Sequence, residues 1–261
     1  MHAAGTALSL CSFGVCSLGA MTTVLLIRHG RTTANTAGVL AGRASGIGLD
    51  SAGAQQAADL ASRVAGVHLR AIVTSPLRRC RQTAQALIAA QSDGCLYAVE
   101  RGLVECGYGD WTGRSLRELS KDKLWRAIQQ QPSAVRFPGG ESMPEMSTRA
   151  IAAVRAWNTR IEAVHGSDAV WAAVSHGDLI KAILADALGM HLDSFQRIVV
   201  DPASISIIRY TAARSYLITA NSTTVDLASL LSPPRKRSRS RPKSSKEATV
   251  GGGLGAADVS E

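Results

Sequence analysis

The chain has 261 residues, of which 46% are hydrophobic and 19% are charged. This composition excludes collagen-like, coiled-coil and wholly disordered chains, and the body of the chain lacks the ~20-residue apolar run that spans a bilayer. The net charge is +9, but seven of the 29 basic residues lie between Arg235 and Lys246, so the densest positive charge falls in a tail. These features predict a soluble globular protein.

The two ends of the chain differ from its body. Residues 1–20 are small and mildly apolar and contain no Lys or Arg, whereas a secretory signal begins with basic residues. We interpret them as a disordered leader or extension whose role the sequence does not give. Residues 232–261 are basic and Ser/Pro-rich, then Gly-rich, which predicts a disordered, solvated tail. The alternative is nonspecific contact with nucleic acid or with an acidic surface. A single domain is therefore expected over 21–231.

Strand and helix patterns alternate through this domain. Short apolar runs predict buried strands at 24–27, 71–74, 96–99 and 170–174, and the runs 205–210 and 216–219 predict a hairpin. Helices are predicted at 51–65, 76–91, 115–130, 142–164 and 178–189, with Pro76 at the first helical position of the second. This alternation predicts an α/β domain with a mainly parallel central sheet.

The cysteines give no sign of a metal site or a disulfide framework. They are odd in number, scattered and without a C-x-x-C pair: Cys11, Cys16, Cys80, Cys95 and Cys106. This usage predicts a reducing, cytoplasmic location and no structural zinc.

Polar motifs follow several of the predicted strands. In open α/β sheets, ligands bind beyond the carboxyl ends of the strands. The residues found there form the patterns R-H-G-x-T-x-x-N (28–35), S-P-L-x-R-x-x-Q-T-A (75–84), E-x-G-x-G-x-W (105–111) and S-H-G (175–177). Two histidines, several arginines and one carboxylate would meet at one edge of the sheet, which predicts an anion-binding site.

This ordered set of motifs resembles the histidine phosphatase superfamily, also called the phosphoglycerate mutase-like family, over roughly residues 22–220. The resemblance implies a three-layer α/β/α fold of the phosphoglycerate mutase-like type. It also implies the role of each site residue. His29 matches the nucleophile that becomes a phosphohistidine, and Glu105 matches the proton donor. The phosphate-binding positions are matched by Arg28, Thr32, Asn35, Arg79 and His176.

The chemistry of phosphoryl transfer agrees with these residue types. The planar guanidinium fork of arginine can bind two phosphate oxygens at once. A neutral imidazole can form a covalent intermediate, and a carboxyl group can protonate the leaving alkoxide. Nothing in this scheme requires a metal or another cofactor, and we expect neither. Cys80 stands where many relatives carry alanine, a departure that we expect to leave the core set untouched.

Three functions are compatible with the sequence. The short segment after Glu105 and the P-G-G-E-S stretch (138–142) resemble the phosphatase branch, so we expect hydrolysis of a small phosphorylated metabolite. The alternative is phosphoglycerate mutase-type phosphoryl transfer, and the name phosphoglycerate mutase is applied across the superfamily. A remote alternative is a non-catalytic scaffold or nucleic-acid-binding protein that uses the basic tail. No membrane partner is expected, and the sequence leaves the oligomeric state open, with a dimer as one option.

Overall fold

The structure, a computed structural model, describes residues 21–91, 94–224 and 251. A six-stranded sheet forms its centre. The strands are β1 (Met21–Arg28), β2 (Leu69–Thr74), β3 (Leu96–Val99), β4 (Val170–Ser175), β5 (Ile205–Thr211) and β6 (Ser215–Ser222). The helices are α1 (Thr33–Ala37), α2 (Ser51–Val64), α3 (Arg78–Ala89), α4 (Leu116–Leu119), α5 (Lys123–Gln130), α6 (Met143–His165) and α7 (Gly177–Ala187).

The sheet has the strand order β3-β2-β4-β1-β5-β6. The first four of these strands run parallel, β5 pairs antiparallel with β1, and β6 pairs antiparallel with β5. The predicted mainly parallel sheet and the predicted hairpin are both confirmed. As a result, the carboxyl ends of the adjacent strands β2, β4 and β1 lie side by side.

Helices cover both faces of the sheet. Successive side chains of a strand point to opposite faces, and in β1 the residues Leu26 and Ile27 belong to two separate hydrophobic clusters. The cluster of Ile27 includes residues of α2 and α3, and that of Leu26 includes residues of α6 and α7. The three-layer α/β/α prediction is therefore confirmed.

Three local predictions were wrong. Helix α3 begins at Arg78 rather than near Pro76, because Ser75 continues the strand pairing through its N–H, which donates to Val174 O. The helix predicted at 115–130 is divided into α4 and α5, since the Asp122 side chain accepts a hydrogen bond from Leu124 N and caps a new helix.

The third wrong prediction concerns the burial of β3. This strand lies at the edge of the sheet, and Leu96 and Val99 are each 47% exposed. Its short apolar run resembled that of a central strand because sequence alone does not give the strand order.

Gly53 lies where α2 packs against the loop that follows β1. A Cβ at this position would overlap the carbonyl oxygen of Arg31. We expect Gly53→Ala to lower the free energy of unfolding by about 1–3 kcal/mol, as overpacking does. Chemical denaturation measures the change. In the control Gly66→Ala, the new methyl group meets nothing within 4 Å, and equal losses in the two variants would contradict the explanation.

The predicted leader at 1–20 lies outside the described residues, as does the predicted tail at 232–261 apart from Gly251. The boundaries of the domain, 21–231, therefore stay a prediction. Within the described parts of the chain, the structure has no helix long and apolar enough to cross a membrane.

Candidate active site

His29 directly follows β1 and is buried. Its Nδ1 lies 2.7 Å from the carbonyl oxygen of Gly30. Because a carbonyl can only accept, Nδ1 carries the proton and donates it, which leaves a lone pair on Nε2. Arg79 Nε donates to this Nε2 at 3.2 Å. Burial, together with the positive charges of Arg79 and Arg28, lowers the pKa of His29 well below its usual value, so the ring is neutral at pH 7.

His176 follows β4 and lies beside His29, with a distance of 5.2 Å between the two ring centroids. Arg79 Nη2 lies 3.2 Å from His176 Nδ1. Since a guanidinium only donates, Nδ1 accepts, and Nε2 donates to Ser75 Oγ at 2.8 Å. Burial and the charge of Arg79 lower the pKa of His176 well below its usual value. Both imidazoles are therefore neutral.

Two buried guanidinium groups supply the positive charge of the site. Arg79 donates to Gly42 O at 2.8 Å, and its Nη1 has no hydrogen-bond partner among the residues that the structure describes. Arg28 donates from Nη1 to Val200 O at 2.8 Å. Two buried cations beside neutral rings form an electrostatic environment that favours a dianion such as a phosphate group.

Glu105 provides the carboxyl group. Its Oε1 accepts from Cys106 N at 2.9 Å, and its Oε2 lies 3.7 Å from His176 Nδ1. Burial raises the pKa of Glu105 to about 7, and the charge of Asp178 adds to the rise. A carboxyl group with a pKa near 7 can both give and take a proton at neutral pH.

The main chain at Glu105 is held by two arginines that the sequence analysis did not single out. Arg43 Nε donates to Glu105 O at 2.7 Å, and Arg149 Nη2 donates to the same oxygen at 3.0 Å. Both arginines also pair with Glu141. Glu141 belongs to the P-G-G-E-S stretch, so this motif was the sequence signal for the cluster. Of its two partners, Arg43 comes from a distant part of the chain, whereas Arg149 lies only eight residues after Glu141.

Thr32 and Asn35 form a capping box at the start of α1. The Thr32 hydroxyl donates to Asn35 Oδ1 at 2.8 Å, and Asn35 N donates back to Thr32 Oγ1 at 3.2 Å. The hydroxyl and the amide oxygen therefore hold the loop after β1. The other predicted site residues contact one another through their side chains: His29, His176, Arg79 and Glu105. Phosphate contact by Thr32 and Asn35 stays a prediction.

Cys80 lies closer to the site than expected. Its Sγ is 3.4 Å from His176 Nε2 and 3.5 Å from Ser175 O. The expectation that this departure leaves the core set untouched was wrong, because Arg79 and Cys80 share the first turn of α3. Burial raises the pKa of Cys80 to about 12, so the side chain is a neutral thiol that packs on the ring.

Asp178 was also missed, although it follows the S-H-G motif. Its carboxylate is fully buried, and its Oδ2 accepts from Tyr108 Oη at 2.8 Å. No group of three or more His, Cys, Asp and Glu side chains that could hold a metal occurs in the described part of the chain. The site is thus built from imidazole, guanidinium and carboxyl groups.

Comparison with known proteins identifies the family. The family model described as histidine phosphatase superfamily (branch 1) matches residues 24–223, which is most of the chain. The chain belongs to this superfamily. The match covers all four motifs, from the R-H-G motif after β1 to the S-H-G motif after β4.

Individual relatives carry two kinds of name. Phosphoserine phosphatase 1 of Hydrogenobacter thermophilus is 28% identical over 205 residues, which are 78% of this chain and 93% of the relative. A protein named probable phosphoglycerate mutase GpmB, from Salmonella choleraesuis, is 32% identical over 192 residues, with 73% and 86% covered. A solved structure of Entamoeba histolytica phosphoserine phosphatase with 3-phosphoglyceric acid superimposes with a TM-score of 0.68, at 25% identity and with 78% and 98% covered.

Proposed function

We propose that this histidine phosphatase hydrolyses a small phosphomonoester through a phosphohistidine at His29. The observation that carries the proposal is the state of His29: its Nδ1 proton is committed to Gly30 O, and its Nε2 lone pair faces Arg79. Arg79 Nη1, which lacks a hydrogen-bond partner in the described structure, is a donor for a phosphate oxygen beside that nucleophile.

The reaction proceeds in two steps. His29 Nε2 attacks phosphorus, the bond from phosphorus to the ester oxygen breaks, and Glu105 gives its proton to the departing alkoxide. Water then attacks the phosphohistidine, Glu105 takes the proton of that water, and inorganic phosphate leaves. His29 and Glu105 return to their starting states, and the balance is ester plus water to alcohol plus phosphate. Arg28 and Arg79 stabilise the charge on the equatorial oxygens throughout.

Hydrolysis is preferred to mutase chemistry, although relatives of both names exist. A mutase must return the phosphoryl group to a second hydroxyl and exclude water, whereas hydrolysis needs only a water beside Glu105. The substrate is proposed to be a small phosphorylated metabolite. A reducing cytoplasm is the proposed location, because the cysteines among the described residues, Cys80, Cys95 and Cys106, are free thiols. Nucleic acid has no part in the proposed reaction.

A panel of phosphorylated metabolites tests the proposal. The full chain is incubated with alkyl phosphates and with 3-phosphoglycerate, and inorganic phosphate and the isomer 2-phosphoglycerate are both measured. We expect phosphate release at a rate that depends on the alcohol. Interconversion of 2- and 3-phosphoglycerate without net phosphate release would establish a mutase instead.

Arg149 is expected to affect catalysis through the position of Glu105. Its guanidinium donates to the carbonyl oxygens of Gly102, Val104 and Glu105. We expect Arg149→Met to lower kcat for alkyl phosphates by about 10²-fold, the cost of a misplaced catalytic group, with a smaller change in KM. Steady-state kinetics on a folded variant measures both constants.

Arg155→Met is the matched control for this prediction. Arg155 lies on the same helix, α6, but forms an exposed ion pair with Asp186. We expect unchanged kinetics in this variant. Equal losses in the two variants would show that α6 acts through general stability rather than through Glu105.

A further inference from the structure

Asp178 is a buried carboxylate that the proposed reaction does not use. It lies in the first turn of α7, two residues after His176, and is fully buried. Its Oδ1 has no hydrogen-bond partner among the described residues, and Lys181 Nζ lies 3.8 Å from it. The separation of 3.8 Å is too long for a hydrogen bond, so among the described residues the hydrogen-bond donors to this carboxylate bind its other oxygen, Oδ2.

Gly251 shows what kind of group fits beside this carboxylate. Its N–H donates to Asp178 Oδ2 at 3.0 Å, and its carbonyl oxygen accepts from Arg28 Nη2 at 3.4 Å. The backbone of this one residue therefore joins Asp178 to an arginine that we propose as a phosphate ligand. A Cβ on Gly251 would lie 2.9 Å from Leu40 Cδ1, so the space beside Asp178 is narrow.

We propose that Asp178 is a specificity-determining residue, which binds a hydrogen-bond donor on the alcohol part of the substrate in the place where Gly251 N–H now lies. This inference rests on the proposed phosphatase function and names its substrate class: phosphomonoesters of small alcohols that carry an ammonium or hydroxyl group near the ester.

The sign of the charge at Asp178 gives the selectivity. A carboxylate attracts an ammonium group, accepts from a hydroxyl group and repels a second carboxylate, and these effects are strong in a buried site. The hydrogen bond from Tyr108 Oη fixes the carboxylate in place. An ester without a donor would displace Gly251 N–H and leave Asp178 Oδ2 with less compensation, so it should react more slowly.

A series of two-carbon esters tests the inference. Ethanolamine phosphate, ethylene glycol monophosphate and ethyl phosphate differ only in the group at the second carbon: ammonium, hydroxyl or hydrogen. We expect the full chain to prefer the first over the last by about tenfold or more in kcat/KM, the usual contribution of a charged hydrogen bond. In Asp178→Asn the preference is expected to fall to about threefold or less, since the amide is neutral.

Tyr108→Phe is the matched variant. It removes a hydrogen bond of the same buried cluster but keeps the carboxylate, so the preference for ethanolamine phosphate should persist even if overall activity falls. An equal loss of preference in Tyr108→Phe, or an unchanged preference in Asp178→Asn, would give Asp178 a purely structural role and overturn the inference. Failure of the wild-type chain to hydrolyse any of the three esters would instead count against the proposed function.

Gly251→Pro tests the same place by removing the backbone donor rather than the carboxylate. Proline has no N–H and cannot adopt the positive φ of Gly251, 76°, so residue 251 loses its contact with Arg28 and the donor that competes with the substrate at Asp178 is lost. We expect a lower KM for ethanolamine phosphate, by about threefold or more given the size of one charged hydrogen bond. An unchanged KM would mean that substrate and Gly251 do not share this place, and it would overturn the inference.

Discussion

His29→Ala should lower kcat for phosphomonoester hydrolysis by at least about 10⁴-fold, because removal of a nucleophile abolishes the covalent route. The structure gives the physical reason. His29 Nε2 carries a lone pair that accepts a hydrogen bond from Arg79 Nε, and burial keeps the imidazole ring neutral. Brief reaction with a ³²P-labelled ester, followed by denaturation, should leave acid-labile, base-stable label on the wild-type chain and none on the variant.

His191→Ala is the control for the loss of His29. His191 is exposed, contacts Asp193 and belongs to none of the four motifs. Its removal should leave both labelling and turnover unchanged. If label persisted in His29→Ala, or if it were found on His176 in the wild-type chain, the assignment of the nucleophile would be wrong.

Glu105→Gln should lower kcat for alkyl phosphates by about 10²–10⁴-fold, the range for loss of a general acid. Alkoxides are poor leaving groups and need the proton that Glu105 supplies. The effect on p-nitrophenyl phosphate should be much smaller, since p-nitrophenolate leaves without protonation. Steady-state assays of both esters measure the difference, and Glu118→Gln, an exposed carboxyl in α4, serves as the control.

The pH dependence of kcat/KM follows from the same carboxyl group. The pKa of Glu105 is raised to about 7, so the proton needed for the first step is present below pH 7 and is lost above it. The pKa of His29 is lowered, so the nucleophile is already neutral there. We expect kcat/KM for alkyl phosphates to fall as pH rises through about 7. A profile that stays flat to pH 9 in the wild-type chain would contradict the role of Glu105.

The sequence predicted which residues lie at the centre of this site because one rule of α/β folds determines their position. The ends of parallel strands meet at one edge of a sheet, and His29, Arg79 and His176 each follow a strand that reads as an apolar run. The family resemblance added the proposed role of Glu105, which lies in an irregular segment that no periodic pattern marks. The helices were predicted well where an amphipathic stretch was long, as in α6.

Features that depend on distant contacts were beyond the sequence. Arg43 and Arg149 both donate to Glu105 O, although one precedes Glu105 in the chain and the other follows it. Neither arginine belongs to a motif. The exposure of β3 depends on strand order, which local patterns do not give. Gly251 is far along the chain from Arg28 and Asp178, yet its carbonyl oxygen contacts the first and its N–H contacts the second.

The strand order also bears on how an active molecule is made. β4 lies between β2 and β1, although it follows both by about a hundred residues or more. As the nascent chain leaves the ribosome, β1 and β2 therefore cannot complete their pairing until β4 has been synthesised. Pairings between such distant segments form slowly. His176 directly follows β4, so the first turnover of a newly made molecule reports that β4 has docked between β2 and β1.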